Sequence, residues 1–393
     1  MCGIAGWVDW ERDLTREGII AQAMTDTMAC RGPDAEGLWL SPRAALGHRR
    51  LAVIDIEGGR QPMAADGASP PVVLTYTGEV FNFRQVREEL QARGHRFRTR
   101  SDTEVVLHSY LEWGDGCATH LNGMFAFAVW DEASQQLLLA RDRMGIKPLY
   151  YFSYGTGLLF GSEPKALLAN PLFSAEVDHE GLAELFGLNK GRTPGHGVFR
   201  GLRQLLPGQT VRVDRQGAHP ARYYQLTSRR HHDDLATTVA TVRALLEDIV
   251  EGQLVADVPL CSLLSGGLDS SVITALAVAT MESQGRATPA TFAVDFENND
   301  AFFRSSAQRP SLDAPFVRLM ADHLAVKHTD VVLGPADLLA QQHNTLRARD
   351  LPGHGDMDAS LYLLCREVRR HSTVALSGEG ADEVFGGYPW FYD

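Results

Sequence analysis

Cysteine is scarce in this chain and shows no pairing. Five residues (Cys2, Cys30, Cys117, Cys261 and Cys365) are scattered through 393, an odd number without a CxxC pair. That spacing argues against a disulfide frame or a cysteine-based zinc site, and it fits a reducing, cytoplasmic setting. Positive charge is also short: Lys+Arg 37 against Asp+Glu 49 leaves a net charge of -12. Such a surface repels phosphate backbones, so nucleic acid is not an expected partner. No apolar run approaches the roughly 20 residues that cross a bilayer, so no membrane partner is expected. The opening MCGIAGWVDW has no basic flank and soon meets Asp9, Glu11 and Arg12, unlike a signal peptide. Repeats and low-complexity tracts are missing as well.

What remains is a globular composition, 44% hydrophobic and 22% charged, in a chain long enough for two domains. The first half reads as strands: 72–77, 124–130, 136–142 and 148–153, separated by turn residues. Two helices interrupt them. One runs from Phe83 to Arg93 and stops at Gly94. The other starts at Ser101, where Glu104 completes a capping-box pattern. The polar stretch 227–238 has no hydrophobic period and reads as linker. Beyond it, strands at 259–264, 290–294, 328–333 and 373–377 alternate with helices near 237–254, 272–281, 312–325 and 358–370. Alternation of that kind predicts a parallel sheet covered on both faces. The chain stops soon after a strand and a loop, GEGADEVFGGY, and is expected to be incomplete at its C-terminus.

Cys2 follows the initiator methionine. Aminopeptidases remove Met before a small side chain, and removal leaves a thiol and a free α-amine on one residue. The amine titrates near pH 8 and serves as an internal base, so the pair needs no His/Asp partner.

Blocks MCGIAG, RGPD (31–34), GHRRLAVID (47–55), YTGEVFNF (76–83), SDTE (101–104), GMFAFAVWD (123–131) and RDRMGIKPLY (141–150) together resemble the glutaminase domain of class II glutamine amidotransferases. Within that group the chain looks most like glutamine-hydrolysing asparagine synthetase. The resemblance implies an N-terminal-nucleophile hydrolase sandwich of antiparallel sheets with flanking helices (α+β). An α/β parallel-sheet ATP pyrophosphatase domain should follow it. The expected boundaries are 2–215, a linker at 216–236, and 237–393. By the same resemblance Cys2 forms a γ-glutamyl thioester and Arg50 pairs with the glutamine α-carboxylate. Leu51, Val53 and Ile54 supply backbone groups, Gly78 and Glu79 hold the substrate, and Asp102 receives its α-amine. A free amino acid carries both charges, so its pocket needs one cation and carboxylates. There is one departure. The family loop usually reads Asn-Gly-Glu, with the Asn helping to hold the oxyanion, and here it reads Thr77-Gly78-Glu79. A Thr hydroxyl can donate one hydrogen bond from a shorter reach, and the Gly78 N–H remains. Either Thr77 substitutes imperfectly as the oxyanion donor or glutaminase activity is reduced; a lost donor costs on the order of 10²–10³ in rate.

Ser265-Gly266-Gly267-Leu268-Asp269-Ser270-Ser271 lies between an apolar strand and an apolar helix. Its glycines admit an anion close to the backbone, and the helix start adds free N–H groups. The GK[ST] ending of a Walker loop is lacking. The pattern matches the SGGxDS loop of ATP pyrophosphatases. A second loop, Ser377-Gly378-Glu379-Gly380-Ala381-Asp382, follows another apolar strand. By resemblance Ser377 and Gly378 touch ATP, Glu379 supports acyl-adenylate formation, and Leu263 and Val294 line the adenine. Asp269 and Asp382 are expected to hold Mg²⁺. His354, Asp356 and Asp358 also cluster in sequence, but their spacing favours loop and capping roles over a metal.

The implied reaction is glutamine-dependent asparagine synthesis from aspartate and ATP, with a homodimer compatible with it. Competing readings keep the folds and amidate another carboxylate, or leave a glutaminase-only fragment. β-Lactam synthetases lack the N-terminal cysteine, and an RNA-modifying relative would need a basic face.

Overall fold

The computed structural model describes residues 1–188, 191–306, 311–352 and 356–392. The chain divides into two compact units, Met1–Arg229 and Arg230–Asp393. In the first, twelve strands run in order: β1 (Gly3–Asp9), β2 (Ala35–Leu40), β3 (Ala44–Arg50), β4 (Met63–Ala64), β5 (Val72–Val80), β6 (Gly123–Asp131), β7 (Gln136–Arg141), β8 (Tyr150–Tyr154), β9 (Gly157–Gly161), β10 (Arg203–Gln204), β11 (Gln209–Asp214) and β12 (Gly217–Arg222). Helices α1 (Gly18–Asp26), α2 (Phe83–Ala92), α3 (Asp102–Trp113), α4 (Pro164–Leu168) and α5 (His179–Phe186) interrupt them.

The strands form two six-stranded antiparallel sheets, β10-β8-β9-β1-β3-β2 and β12-β11-β7-β6-β5-β4. Strand β1 shows why the sheets stack. Its side chains alternate faces. Ile4 and Val8 enter the core between the sheets with Leu46, Ala128, Trp130, Leu139 and Phe160. Ala5 and Trp7 face the other way, into a cluster with Met24 of α1 and Leu167 of α4. Every residue of β1 is buried. The strand that Cys2 immediately precedes is therefore central and covered on both sides.

The first helix expected in this unit forms within a residue of its predicted ends, and Gly94 supplies the positive φ of 101° that ends it. The second begins as predicted, with the Ser101 side chain accepting from Thr103 N–H at 3.0 Å. Its capping box is not reciprocal. Glu104 turns outward from the helix to accept from the N–H groups of Arg98 and Thr99, tying down the loop before the helix. Residues 217–222, expected to open the linker, pair along β11 as β12, because Ala218 and its neighbours complete the edge of the second sheet.

In the second unit, strands β13 (Leu260–Leu263), β14 (Ala290–Phe296), β15 (His328–Leu333) and β16 (Val374–Leu376) form a sheet in the order β15-β14-β13-β16. Every pairing is parallel. Its helices are α6 (Leu235–Gln253), α7 (Leu268–Ser283), α8 (Asn299–Phe302), α9 (Ala314–His323), α10 (Pro335–Ala340), α11 (Gln342–Arg349), α12 (Asp356–Val368) and α13 (Ala381–Phe385). Leu260 packs with Val250 of α6 and Ala277 of α7. Its neighbour Cys261 packs with Leu364 and Val368 of α12 on the opposite face. The sheet is covered on both sides, as its apolar strands require. No helix among the described residues is long and apolar enough to cross a membrane, and all five cysteines are free.

Candidate active site

Cys2 immediately precedes β1, an inner strand of the first unit's first sheet. Its backbone is clamped. The Cys2 carbonyl accepts from Arg31 Nε at 3.0 Å and from the Thr77 hydroxyl at 2.8 Å. Arg31 is itself fixed by Glu163, at 2.6 Å. The thiol lies against the chain leaving β3. Leu51 N–H donates to Sγ at 3.3 Å, and Sγ donates to Leu51 O at 3.4 Å. Burial pushes the thiol up. The Leu51 N–H, the N-terminal charge and the Arg50 guanidinium oppose that and favour thiolate.

Met1 is present, so the α-amine belongs to it and donates to Arg31 O at 3.2 Å. Burial is the main cause lowering this amine to about 6. Arg31 and Lys147 lower it further, against Cys2 and Glu79. An amine in this setting is largely a free base at neutral pH.

Arg50 and Asp102 act on the thiol, and Glu79 on the neighbouring Met1 amine. Arg50, at the end of β3, is nearly buried, and its guanidinium donates to the carbonyls of Ile54, Asp55 and Ile56. Those bonds fix its plane and shape the 51–56 turn that holds Leu51, Val53 and Ile54. Asp34 helps by accepting from Ala52 N–H at 2.9 Å. Asp102, in the first turn of α3, is buried against β5 and accepts from the Tyr76 hydroxyl at 2.7 Å and Val80 N–H at 3.2 Å. Burial outweighs these bonds and holds its carboxyl above the usual range. Glu79, on β5, is pushed up to about 7 by burial, opposed chiefly by the Lys147 ammonium.

Gly78 lies between Thr77 and Glu79 with φ at 153°. A Cβ there would meet Met124 O of β6 at 2.1 Å, so the strand pairing itself demands glycine. Thr77, expected as an oxyanion donor, is fully buried, and its hydroxyl hydrogen goes to the Cys2 carbonyl instead. Arg31, Tyr76 and Lys147 join the site without having stood out in the sequence. Their signal was a charged or hydroxyl side chain inside otherwise structural motifs, RGPD, YTGE and GIKP.

In the second unit, adjacent parallel strands β13 and β16 deliver the two predicted loops. After β13, Ser270 Oγ ties the first loop together. It accepts from Ser265 N–H at 3.1 Å and lies 3.0 Å from Ser265 Oγ and 3.2 Å from Gly267 O. The loop leads into α7, whose first turn holds Asp269. After β16, Ser377 Oγ accepts from Glu379 N–H at 3.2 Å. Gly378 lies directly against the first loop. A Cβ on it would stand 2.9 Å from Ser270 N and 3.1 Å from the Asp269 Cβ. Leu263 ends β13 and Val294 lies in β14, the strand beside it. Asp382 lies in the first turn of α13. No group of three metal-ligating side chains occurs among the described residues. His354 lies outside those residues, and Asp358 pairs with Arg349.

A clamped Cys2 in a two-sheet sandwich and a parallel sheet with glycine-rich strand-end loops fall in the two segments that match known families. The chain belongs to the glutamine amidotransferase domain family, whose model matches residues 1–224. Residues 241–393 match the asparagine synthase family model. The whole chain is 47% identical to asparagine synthetase [glutamine-hydrolyzing] 3 of Bacillus subtilis, covering 64% of that protein. It is 32% identical over 99% of its length to asparagine synthetase [glutamine-hydrolyzing] 1 of the same organism, covering 59% of it. Over its full length it is 31% identical to asparagine synthetase B [glutamine-hydrolyzing] of Escherichia coli, covering 65% of it. The chain thus spans less than two-thirds of the length of these relatives.

Proposed function

We propose that this chain hydrolyses glutamine at Cys2 and uses the ammonia for ATP-dependent synthesis of asparagine from aspartate. The observation that carries the reading is the thiol held against Leu51, on a backbone clamped by Arg31 and Thr77. With Met1 removed, the amine that now belongs to Met1 would belong to Cys2 and act as its base. The thiol proton goes to that amine, and sulfur attacks the side-chain amide carbon of glutamine. Ammonia leaves with a proton returned by the amine, and water then cleaves the γ-glutamyl thioester to glutamate. In this reading Arg50 faces the α-carboxylate, while Asp102 and Glu79 face the α-ammonium group. Leu51, Val53, Ile54 and Gly78 supply backbone groups. The Thr77 hydroxyl positions the nucleophile.

At the second unit, aspartate attacks the α-phosphorus of ATP, giving β-aspartyl-AMP and diphosphate. Ammonia displaces AMP to form asparagine. Ser265, Gly266, Gly267, Ser270, Ser377 and Gly378 would cradle the phosphates, with Leu263 and Val294 beside the adenine. Glu379 would support adenylate formation. Two carboxylates, Asp269 and Asp382, suit Mg²⁺ only if phosphate oxygens complete its shell. Bound there, the ion would neutralise developing charge on the diphosphate. The free cysteines fit a cytoplasmic enzyme; a homodimer is the assembly we propose.

The test is Cys2→Ala. Glutamate release should vanish, while diphosphate release driven by aspartate and added ammonia persists. Undiminished glutaminase in this variant would sink the nucleophile assignment, and another carboxylate replacing aspartate would change the product.

A further inference from the structure

Asp55 and Arg100 stand 45 residues apart in sequence, and a hydrogen bond joins them. Asp55 is 8% exposed and lies in the turn after β3 with φ at 49°. That left-handed backbone is strained for a non-glycine residue and persists only where its surroundings hold it. The Asp55 carbonyl accepts from Arg50 Nη2 at 2.7 Å and from Gly59 N–H at 2.9 Å. Its carboxylate makes a different pair of bonds. Oδ1 accepts from Gly58 N–H at 3.0 Å, which closes the turn. Oδ2 accepts from Arg100 N–H at 2.6 Å, in the loop that leads to Asp102. Two other charged side chains finish that loop. Arg87 of α2 donates to the carbonyls of Thr99 and Ser101 at 2.6 and 3.0 Å. Glu104 accepts from the N–H groups of Arg98 and Thr99. Asp55 is the member of this set that comes from the Arg50 side. It grips the Arg50 guanidinium with its backbone and the approach to Asp102 with its side chain.

We infer that Asp55 is a positioning residue that sets the spacing between Arg50 and Asp102, and with it the selectivity for a free α-amino acid. The inference rests on the glutaminase reading, in which Arg50 takes the α-carboxylate and Asp102 the α-ammonium group. Both groups sit on one carbon, so their two readers must keep one separation. Each reader is fixed within its own segment, Arg50 by the carbonyls of its turn and Asp102 by Tyr76 and Val80. The Asp55 carboxylate ties the two segments to each other. Cutting that tie lets the turn shift against the loop as a unit. A ligand that uses one reader tolerates the shift, whereas a ligand that must reach both at once loses affinity. The loss falls on ground state and transition state alike, so it enters KM rather than kcat.

The test uses Met1-processed wild type, D55A and D55N. For each, kcat and KM are measured for glutamate release from glutamine. Inhibition constants are measured for L-glutamate, which carries both charged groups on one carbon, and for glutaramate, which carries the carboxylate without the amine. In D55A the KM for glutamine and the inhibition constant for L-glutamate should rise about tenfold, with kcat and the glutaramate constant within about twofold of wild type. D55N keeps one acceptor for the two N–H donors and should fall between, at about threefold. If D55A does not fold, G58A replaces it with the same expectation, since a Cβ at Gly58 would stand 2.3 Å from Asp55 Oδ2 and 2.9 Å from the Thr99 Cβ. Equal weakening of L-glutamate and glutaramate, a loss confined to kcat, or no change overturns the inference and leaves the glutaminase reading standing. Wild type that releases no glutamate sinks that reading, and the role of Asp55 falls with it.

Discussion

The Thr77 hydroxyl donates to the Cys2 carbonyl at 2.8 Å, across the gap between the two sheets of the first unit. An asparagine side chain at this position is expected to aim at the substrate's oxyanion. The shorter threonine reaches the Cys2 backbone.

That bond gives a direct prediction. Thr77→Val keeps the shape and removes the donor, while Arg31 still satisfies the carbonyl. The first unit should lose only about 1 kcal/mol in thermal or denaturant unfolding. Glutamate release should fall about tenfold, because the thiol's backbone is no longer held from both sides. Unchanged glutaminase in a folded T77V protein would contradict the positioning role.

Glu79 links pH to both stability and binding. Its carboxyl is raised from 4.5 to about 7 in the folded protein. Between those values the folded state keeps a proton that the unfolded state has released. Its contribution therefore makes the fold less stable as pH rises from about 4.5 to 7, by up to about 3 kcal/mol. Glu79→Gln removes that dependence. The variant should be more stable than wild type at pH 8 and equal to it near pH 4.5, as read from chemical unfolding at the two pH values. Its KM for glutamine should rise at pH 8, where wild type presents a charged carboxylate to the substrate's ammonium group.

Gly378→Ala separates the two units. The added methyl would push the loop after β16 away from Ser270 and Asp269. Aspartate-dependent diphosphate release should fall by about 10²-fold, the cost of an ångström-scale displacement. Glutamate release measured without ATP should be unaffected. Equal loss of both activities would show that the substitution acts through general unfolding.

The sequence revealed elements best where hydrophobic period and punctuation agreed. Strand β15 forms over the residues predicted, and Gly94 ends α2 as a left-handed stop. The second unit's parallel sheet was legible because its strands, apolar in β13 and most of β14, alternate with helices. Residues 217–222 escaped because an edge strand with a polar face reads like linker; only pairing with β11 gives it a partner. Within the first site, Cys2, Arg50 and Asp102 gather as motifs far apart in sequence. The hydrogen of Thr77 and the burial of Lys147 depend on distances across the fold, which no local pattern encodes, while Glu104 satisfies the loop just before its helix, a local choice that the capping pattern does not distinguish.

The grip of Arg31 and Thr77 on the Cys2 carbonyl has a further consequence. It acts on the peptide group after residue 2 and leaves the bond before it untouched. The same grip on the Cys2 carbonyl would therefore be available with or without the initiator residue. Maturation becomes a matter of counting chains: a half-processed sample would unfold as one population, yet only half of its molecules would answer an active-site titrant.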